Sequence, residues 1–168
     1  MKYDFEEIDI STISGLIRKR RNLLPYKKVG ETKFVRWNSK KITAEVINGI
    51  LSGAPIPDIA ESFRRVMRMS KASSIRNART SMTSAQNSGR LESYKAAEKK
   101  GIEMMKVWIA TFDYRTRESH IEMNGELAPI NEPFSNGLMY PGDPNGEPEE
   151  VYNCRCSMKV ALKGIDYD

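Results

Sequence analysis

Cysteine occurs twice in the 168-residue chain, at Cys154 and Cys156, and histidine once, at His120. If Asn153 to Ser157 is extended, side chains at i and i+2 point to one side, so both sulfurs face one way and Arg155 the other. Two thiolates aimed at one point suit a soft metal ion, whereas a disulfide between them would close a very small, strained ring. With His120 they supply three ligands of a tetrahedral zinc site, the fourth being Asp113, water or another chain. The pattern falls short of a complete zinc motif, because structural sites normally show four protein ligands and commonly two-residue gaps within each pair. The same residues fit two other arrangements. His120 can be hydrogen-bonded in the core with the cysteines buried as small hydrophobes. A nucleophilic Cys/His pair is the other, although no third group or oxyanion-hole element is evident.

For any of these, the segments around His120 and the cysteines must converge. The stretch "MMKVWIATFDY" is rich in β-branched and aromatic residues and predicts a strand over Lys106–Phe112, and "CSMKVALKGI" predicts another over Ser157–Leu162. Both carry apolar side chains on two sides, including Val107, Trp108, Ile109 and Phe112, so the sheet should be largely covered by helices. Between them, "TRESHIEMNG" predicts a short helix capped by Thr116 and ended by Asn124-Gly125. Residues 131–153, with four prolines and three glycines, then predict an irregular loop of more than 20 residues, a length that is usually functional, disordered or pinned.

The first 100 residues read as helical. Ser39 is the expected N-cap of a helix with Ile42, Val46 and Ile50 at helical spacing, stopped by Gly53. A second helix puts Ile59, Phe63, Val66 and Met67 on one face and Arg64, Arg65 and Arg68 away from it. From Ser70 to Lys100 a longer helix has the inward positions Ala72, Ile75, Ala78, Met82 and Ala85, with Gly89 a weak point and Gly101 its end. The expected class is α+β: an N-terminal helical region with one long helix, then a small antiparallel sheet and the Pro/Gly-rich loop. Residues 1–36 form an N-terminal extension, 37–104 the helical region and 105–168 a sheet lobe packed with the helices as one domain.

Charge divides along the same line. Residues 1–100 hold 21 Lys+Arg against 10 Asp+Glu, and residues 101–168 hold 6 against 12, within a net +5. The basic half suits a polyanion such as nucleic acid. Arg18, Lys19, Arg20 and Arg21 make one cluster and Arg64, Arg65, Arg68 and Lys71 another; these neutralise phosphates without reading bases, or else form a solvated surface. No apolar run is long enough for a membrane span, and the N-terminus has no signal-peptide core. Two cysteines without such a signal point to a reducing compartment.

The succession "SSIRNARTSMTSAQNSGR", "KVWIATFDYRTRESHIEMNGE", "YPGD" and "NCRC" resembles the phage minor head, or head morphogenesis, family typified by the Mu F protein. The resemblance runs from about Trp37 to Val160. Its motif positions fall on Arg79, Thr80, Asp113, Arg115, Thr116, Arg117, His120, Asn153 and Arg155, together with the two cysteines. Many relatives have cysteine where this chain has His120, which is compatible with metal ligation. The resemblance implies a virion structural component near the portal or capsid interior, with portal or capsid proteins and non-specifically bound DNA as partners. It implies location in the virion, and in the host cytoplasm during assembly. Relatives usually carry further helices before the shared domain, so the chain is expected to be a fragment or a short version; some relatives are fused to toxin domains. No catalytic residue carries over. The rival reading is a toxin-like enzyme, a nuclease or transferase, using His120, Asp113 and Arg115.

Overall fold

In the computed structural model, which describes residues 22–163, three helices precede a small sheet in an α+β arrangement. α1 spans Ser39–Leu51. Its N-cap is Asn38, not Ser39: the Asn38 side chain accepts from the Lys41 N–H at 3.1 Å, and Ser39 Oγ, already inside the helix, donates to Asn22. Asparagine caps as well as serine and stands one residue earlier. α2 spans Ile56–Met67 and buries Ile59, Ala60 and Phe63, leaving Arg64 and Arg65 exposed. Arg68 follows in the left-handed region (φ 54°) and stops the helix. α3, Lys71–Glu98, starts at Ser70, whose hydroxyl accepts from Ser73 N–H at 3.2 Å, and continues unbroken through Gly89.

Ala78, Met82 and Ala85 of α3 are buried against α1, α2 and the partly buried Ile75. Ala72, expected inward, is exposed. At 100° per residue it is rotated about 140° from Ala85, off the stripe the other positions define. Leu23 and Leu24 join this helical core from the segment before α1, and Tyr152 joins it from the far end of the chain.

The sheet has strand order β2-β1-β3 and is antiparallel throughout. β1 is Met104–Ile109, β2 is Leu127–Pro129 and β3 is Ser157–Leu162; Lys106 lies opposite Ala128 on one side and Val160 on the other. β3 has the expected bounds. β1 ends three residues before the expected Phe112, which is 65% exposed. The chain leaves the sheet there because the hydroxyl of Thr116 turns back onto Thr111 O, closing a loop. Thr116 is therefore not the cap of the short helix α4 (Glu118–Glu122), whose N-cap is Arg117 without a side-chain bond. Gly125 (φ 86°) ends that turn, and its N–H returns to Trp108 O at 2.9 Å.

Residues 131–147 contain no strand and no helix, and the four-residue α5 (Pro148–Val151) follows. The loop is pinned. Phe134, Leu138 and Tyr140 are buried, and the buried Asp143 carboxylate accepts from the N–H groups of Met139 (3.2 Å) and Asn145 (3.0 Å). Gly142 (φ 82°) lies against α3 where a Cβ would stand 3.1 Å from Thr83 Cγ2 and 3.3 Å from Ser84 N.

A second face of α3, about 180° from Ala85, meets the backbone of the C-terminal segment. Asn153 N–H donates to Thr80 Oγ1 (3.0 Å), Thr83 Oγ1 donates to Cys154 O (2.8 Å), Asn87 Nδ2 to Cys156 O (3.0 Å), and Tyr94 OH to Met158 O (3.3 Å). Asn87 Nδ2 also reaches Pro141 O at 2.9 Å, tying the loop to the same helix. Asn87→Ala should leave both carbonyls unpaired in the interior and lower stability by about 2 kcal/mol in urea melts, against less than about 0.5 for Ser93→Ala on the exposed face.

On the central strand, Lys106 has no solvent exposure; its ammonium donates to Met139 O (2.8 Å) and lies 4.8 Å from the centre of the Phe134 ring. Burial, aided by Lys95, pulls its pKa from 10.5 to about 8, against the opposing pull of Asp143 and Glu132. Between those values the unfolded chain binds more protons than the native one, so stability should rise as pH goes from about 8 to about 10.5. Urea midpoints across that range should show the rise, and Lys106→Met should remove it.

Candidate metal centre

The sheet, α4 and α5 bring the three soft ligands together. Cys154 and Cys156 precede β3 on the segment that α3 holds extended, both are free, and both are buried. His120 sits in α4 with 1% exposure, its ring against the edge of Trp108 at 5.2 Å between centroids. The His120 Nδ1 to Sγ distances are 3.5 Å for Cys156 and 3.8 Å for Cys154, and the three ligand atoms lie within 4.8 Å of one another. In a tetrahedral zinc site, sulfur and nitrogen ligands stand about 3.6 Å apart. The cluster therefore has the dimensions of three corners of such a site, and the group can bind a metal ion.

The other ring nitrogen is also committed. Nε2 of His120 is 2.8 Å from Glu150 Oε2, and Ser119 Oγ donates to the same carboxylate at 3.3 Å. A carboxylate there fixes the proton on Nε2 and turns the Nδ1 lone pair toward the sulfurs, the usual outer support of a ligating histidine. The hydrogen bond from Cys154, helped by His120, draws Cys156 well below the usual thiol pKa, while that bond and burial push Cys154 up.

Asp113, a candidate fourth ligand, is turned elsewhere. Its carboxylate takes a bidentate bond from Arg155, at 2.6 Å for Nη2, and accepts from Arg115 N–H at 2.8 Å. The Arg155 bond, then the Arg115 N–H, hold it far below the usual carboxylate range. Among the described residues no fourth His, Cys or carboxylate joins the cluster. Glu150 was missed in sequence. Its signal is that a ligating histidine hands its other ring nitrogen to a carboxylate, carbonyl or water, read against the acidic run Glu147, Glu149 and Glu150 just before the cysteines.

The remaining motif residues brace the cysteine segment. Arg79 Nη1 donates to Asn153 Oδ1 (3.2 Å) beside the Thr80 bond, and Arg117 Nη2 donates to Tyr152 O (2.5 Å). Asn153 is in the left-handed region (φ 60°), which asparagine tolerates better than most residues. Arg64, Arg65, Arg68 and Lys71 are exposed together near the α2–α3 junction, with Arg64 paired to Glu61 at 3.4 Å. Arg18, Lys19, Arg20 and Arg21 lie outside the described residues.

A family model described as Phage Mu protein F like protein matches residues 40–159, well over half of the chain and all of this site. The chain belongs to that family. Two curated relatives of this Phage Mu protein F like chain bear different names. It is 29% identical over 129 residues to "NAD(+)--arginine ADP-ribosyltransferase EFV" of Enterococcus faecalis (strain ATCC 700802 / V583), covering 76% of the chain and 26% of that protein. It is 29% identical over 126 residues to "Minor head protein GP7" of Bacillus phage SPP1, covering 73% of the chain and 41% of that protein. The chain thus spans about a quarter of the first relative's length and about two fifths of the second's. No solved structure matches it.

If zinc occupies the cluster, metal analysis of the purified protein should find one ion per chain, and Cys154→Ser or Cys156→Ser should release it with a stability loss of several kcal/mol. Glu150→Gln should weaken binding about 10–100-fold without abolishing it. Should the thiols serve packing alone, each serine change should cost about 1–3 kcal/mol with or without chelator.

Proposed function

We propose that this chain is a structural component of a phage head, carried in the virion near the portal or capsid interior and present in the host cytoplasm during assembly. The observation that carries this reading is the match of residues 40–159 to the Phage Mu protein F like family, together with similarity over most of the chain to a phage minor head protein. In this reading zinc at His120, Cys154 and Cys156 locks the loop to the sheet, and the helical region and sheet lobe act as one unit behind residues 1–36. The exposed Arg64, Arg65, Arg68 and Lys71 lie against packaged duplex DNA and neutralise its phosphates without reading bases.

The enzyme reading draws on the relative named as an ADP-ribosyltransferase, but the shared segment is 26% of that protein and is also shared with the minor head protein. A module common to differently named proteins is better suited to a structural task than to one transfer reaction. The residues suggested for catalysis are also engaged separately: His120 is buried facing two thiols, and Asp113 is tied to Arg155.

Co-expression with the capsid and portal proteins of its phage should incorporate the chain into assembled heads; heads that form normally and exclude it would overturn the reading. For the DNA part, duplex binding should weaken steeply with salt, and Arg64→Gln, Arg65→Gln and Arg68→Gln together should flatten the slope of log K against log salt by about 0.9 per lost phosphate contact. Incubation with NAD and arginine, and with labelled DNA and RNA, should yield no product.

A further inference from the structure

Three of the six basic residues in the acidic half of the sequence, Arg115, Arg117 and Arg155, cluster around the Asp113 loop and the segment at Tyr152–Asn153 that α3 holds. The link is Arg79. It lines a groove of about 330 Å³ between α2 and α3, with Arg64 and Lys71 on the rim, and it also donates to Asn153. From Asn153 the segment leads in two residues to Arg155, whose guanidinium clamps Asp113 in the loop between β1 and α4. The carboxylates on this path are mostly occupied: Glu61 by Arg64, Asp113 by Arg155, and Glu150 by His120, with Glu118 bordering it at the first turn of α4. Arg79, Arg115 and Arg117 form no ion pair among the described residues.

At the end of this path stand two aromatic side chains that the fold does not use. Phe112 is 65% exposed and Tyr114 is 88% exposed, the highest value of any large apolar side chain described. They flank Asp113, and their loop is not free to collapse. Asp113 receives Arg155 and the Arg115 N–H, the Thr116 hydroxyl returns to Thr111 O, and Thr111 Oγ1 donates to Arg155 O at 2.8 Å. Arg115 lies over the Tyr114 ring, 5.1 Å from its centre. Rigid, exposed aromatics beside unpaired arginines are the components of a surface for unstacked bases: phosphates meet guanidinium groups, and base faces stack on the rings. A duplex offers the phosphates but keeps its bases stacked on one another.

We propose that the arginine path from Arg64 through Arg79 to Arg115, ending at Phe112 and Tyr114, is a binding track for single-stranded nucleic acid. It rests on the nucleic-acid part of the function proposed above and extends it to a strand type and to residues outside α2.

Fluorescence anisotropy with a labelled 20-nucleotide oligo-dT and a duplex of equal length tests it on the full chain. Phe112→Ala and Tyr114→Ala, which remove exposed rings and should leave the melting temperature unchanged, should each weaken oligo-dT binding about fivefold or more and duplex binding by less than about twofold. Arg115→Gln should flatten the salt slope for oligo-dT by about 0.7, the value for one lost single-strand contact. Unchanged oligo-dT affinity in the Phe112→Ala, Tyr114→Ala double variant overturns the proposal. So does poly-glutamate binding as tightly as oligo-dT, which would make the surface a dock for an acidic protein. Duplex binding that depends on Arg64, Arg65 and Arg68 but accompanies insensitivity at Tyr114 overturns this track alone. Wild-type protein that binds neither nucleic acid overturns the DNA part of the earlier reading as well.

Discussion

The molecule depends on a run of hydrogen bonds between one face of α3 and the backbone of residues 153–158. Thr80 meets the turn at Asn153, and Thr83, Asn87 and Tyr94 address the alternate carbonyls of Cys154, Cys156 and Met158, doing for the segment's outer edge what a neighbouring strand would do. An open strand edge invites pairing with other chains, and a helix lying along it removes that liability. The same bonds explain why a long helix buries so many small polar residues: Ser74, Asn77, Thr80, Ser81, Ser84, Asn87 and Ser88 all lie inside. Several of these hydroxyls are satisfied by the helix's own carbonyls, such as Ser81 to Asn77 O at 2.7 Å. Thr80 and Asn87 reach across, Asn77 Nδ2 turns to Met69 Sδ at 3.3 Å, and the Ser84 hydroxyl alone of the set is buried without a partner among the described residues.

With its outer edge held, the segment presents Cys154 and Cys156 inward, and several other motif residues secure that presentation from different directions. Arg79 and Thr80 hold Asn153, Arg117 holds the carbonyl of Tyr152, and Asp113 clamps Arg155 between the cysteines. His120 then completes a cluster drawn from α4 and the approach to β3, with Glu150 of α5 behind it. Three segments that share no regular backbone pairing are joined through one imidazole.

The class of the fold, the bounds of β3 and the convergence of His120 with both cysteines were legible in the sequence, because each rests on local periodicity or on rare residue types. The end of β1 was not. Thr111, Phe112 and Tyr114 have strand propensity, and what removes them from the sheet is the Thr116 hydroxyl returning to Thr111 O, a contact without periodicity. β2 was invisible because three residues carry no alternation. The polar face of α3 was overlooked because an apolar pattern search finds the side facing α1 and α2 and treats serine, threonine and asparagine as solvent-facing. Asp113 could be assigned to metal or to arginine with equal chemical sense, and only the position of Arg155 decides between them.

The contacts along α3 join residues far apart in the chain: 73 positions separate Thr80 from Asn153, 71 separate Thr83 from Cys154, and 64 separate Tyr94 from Met158. Such a topology closes late, because the entropy of a long loop must be lost before any of these bonds forms. During synthesis α1, α2 and the apolar face of α3 can associate while the strand that covers the other face is still unmade. A ribosome stalled before Asn153 would hold a three-helix cluster with a row of unanswered side chains, and no site for metal. Commitment to the native state therefore waits on residues 153–158, which makes that short segment the kinetic keystone of the fold.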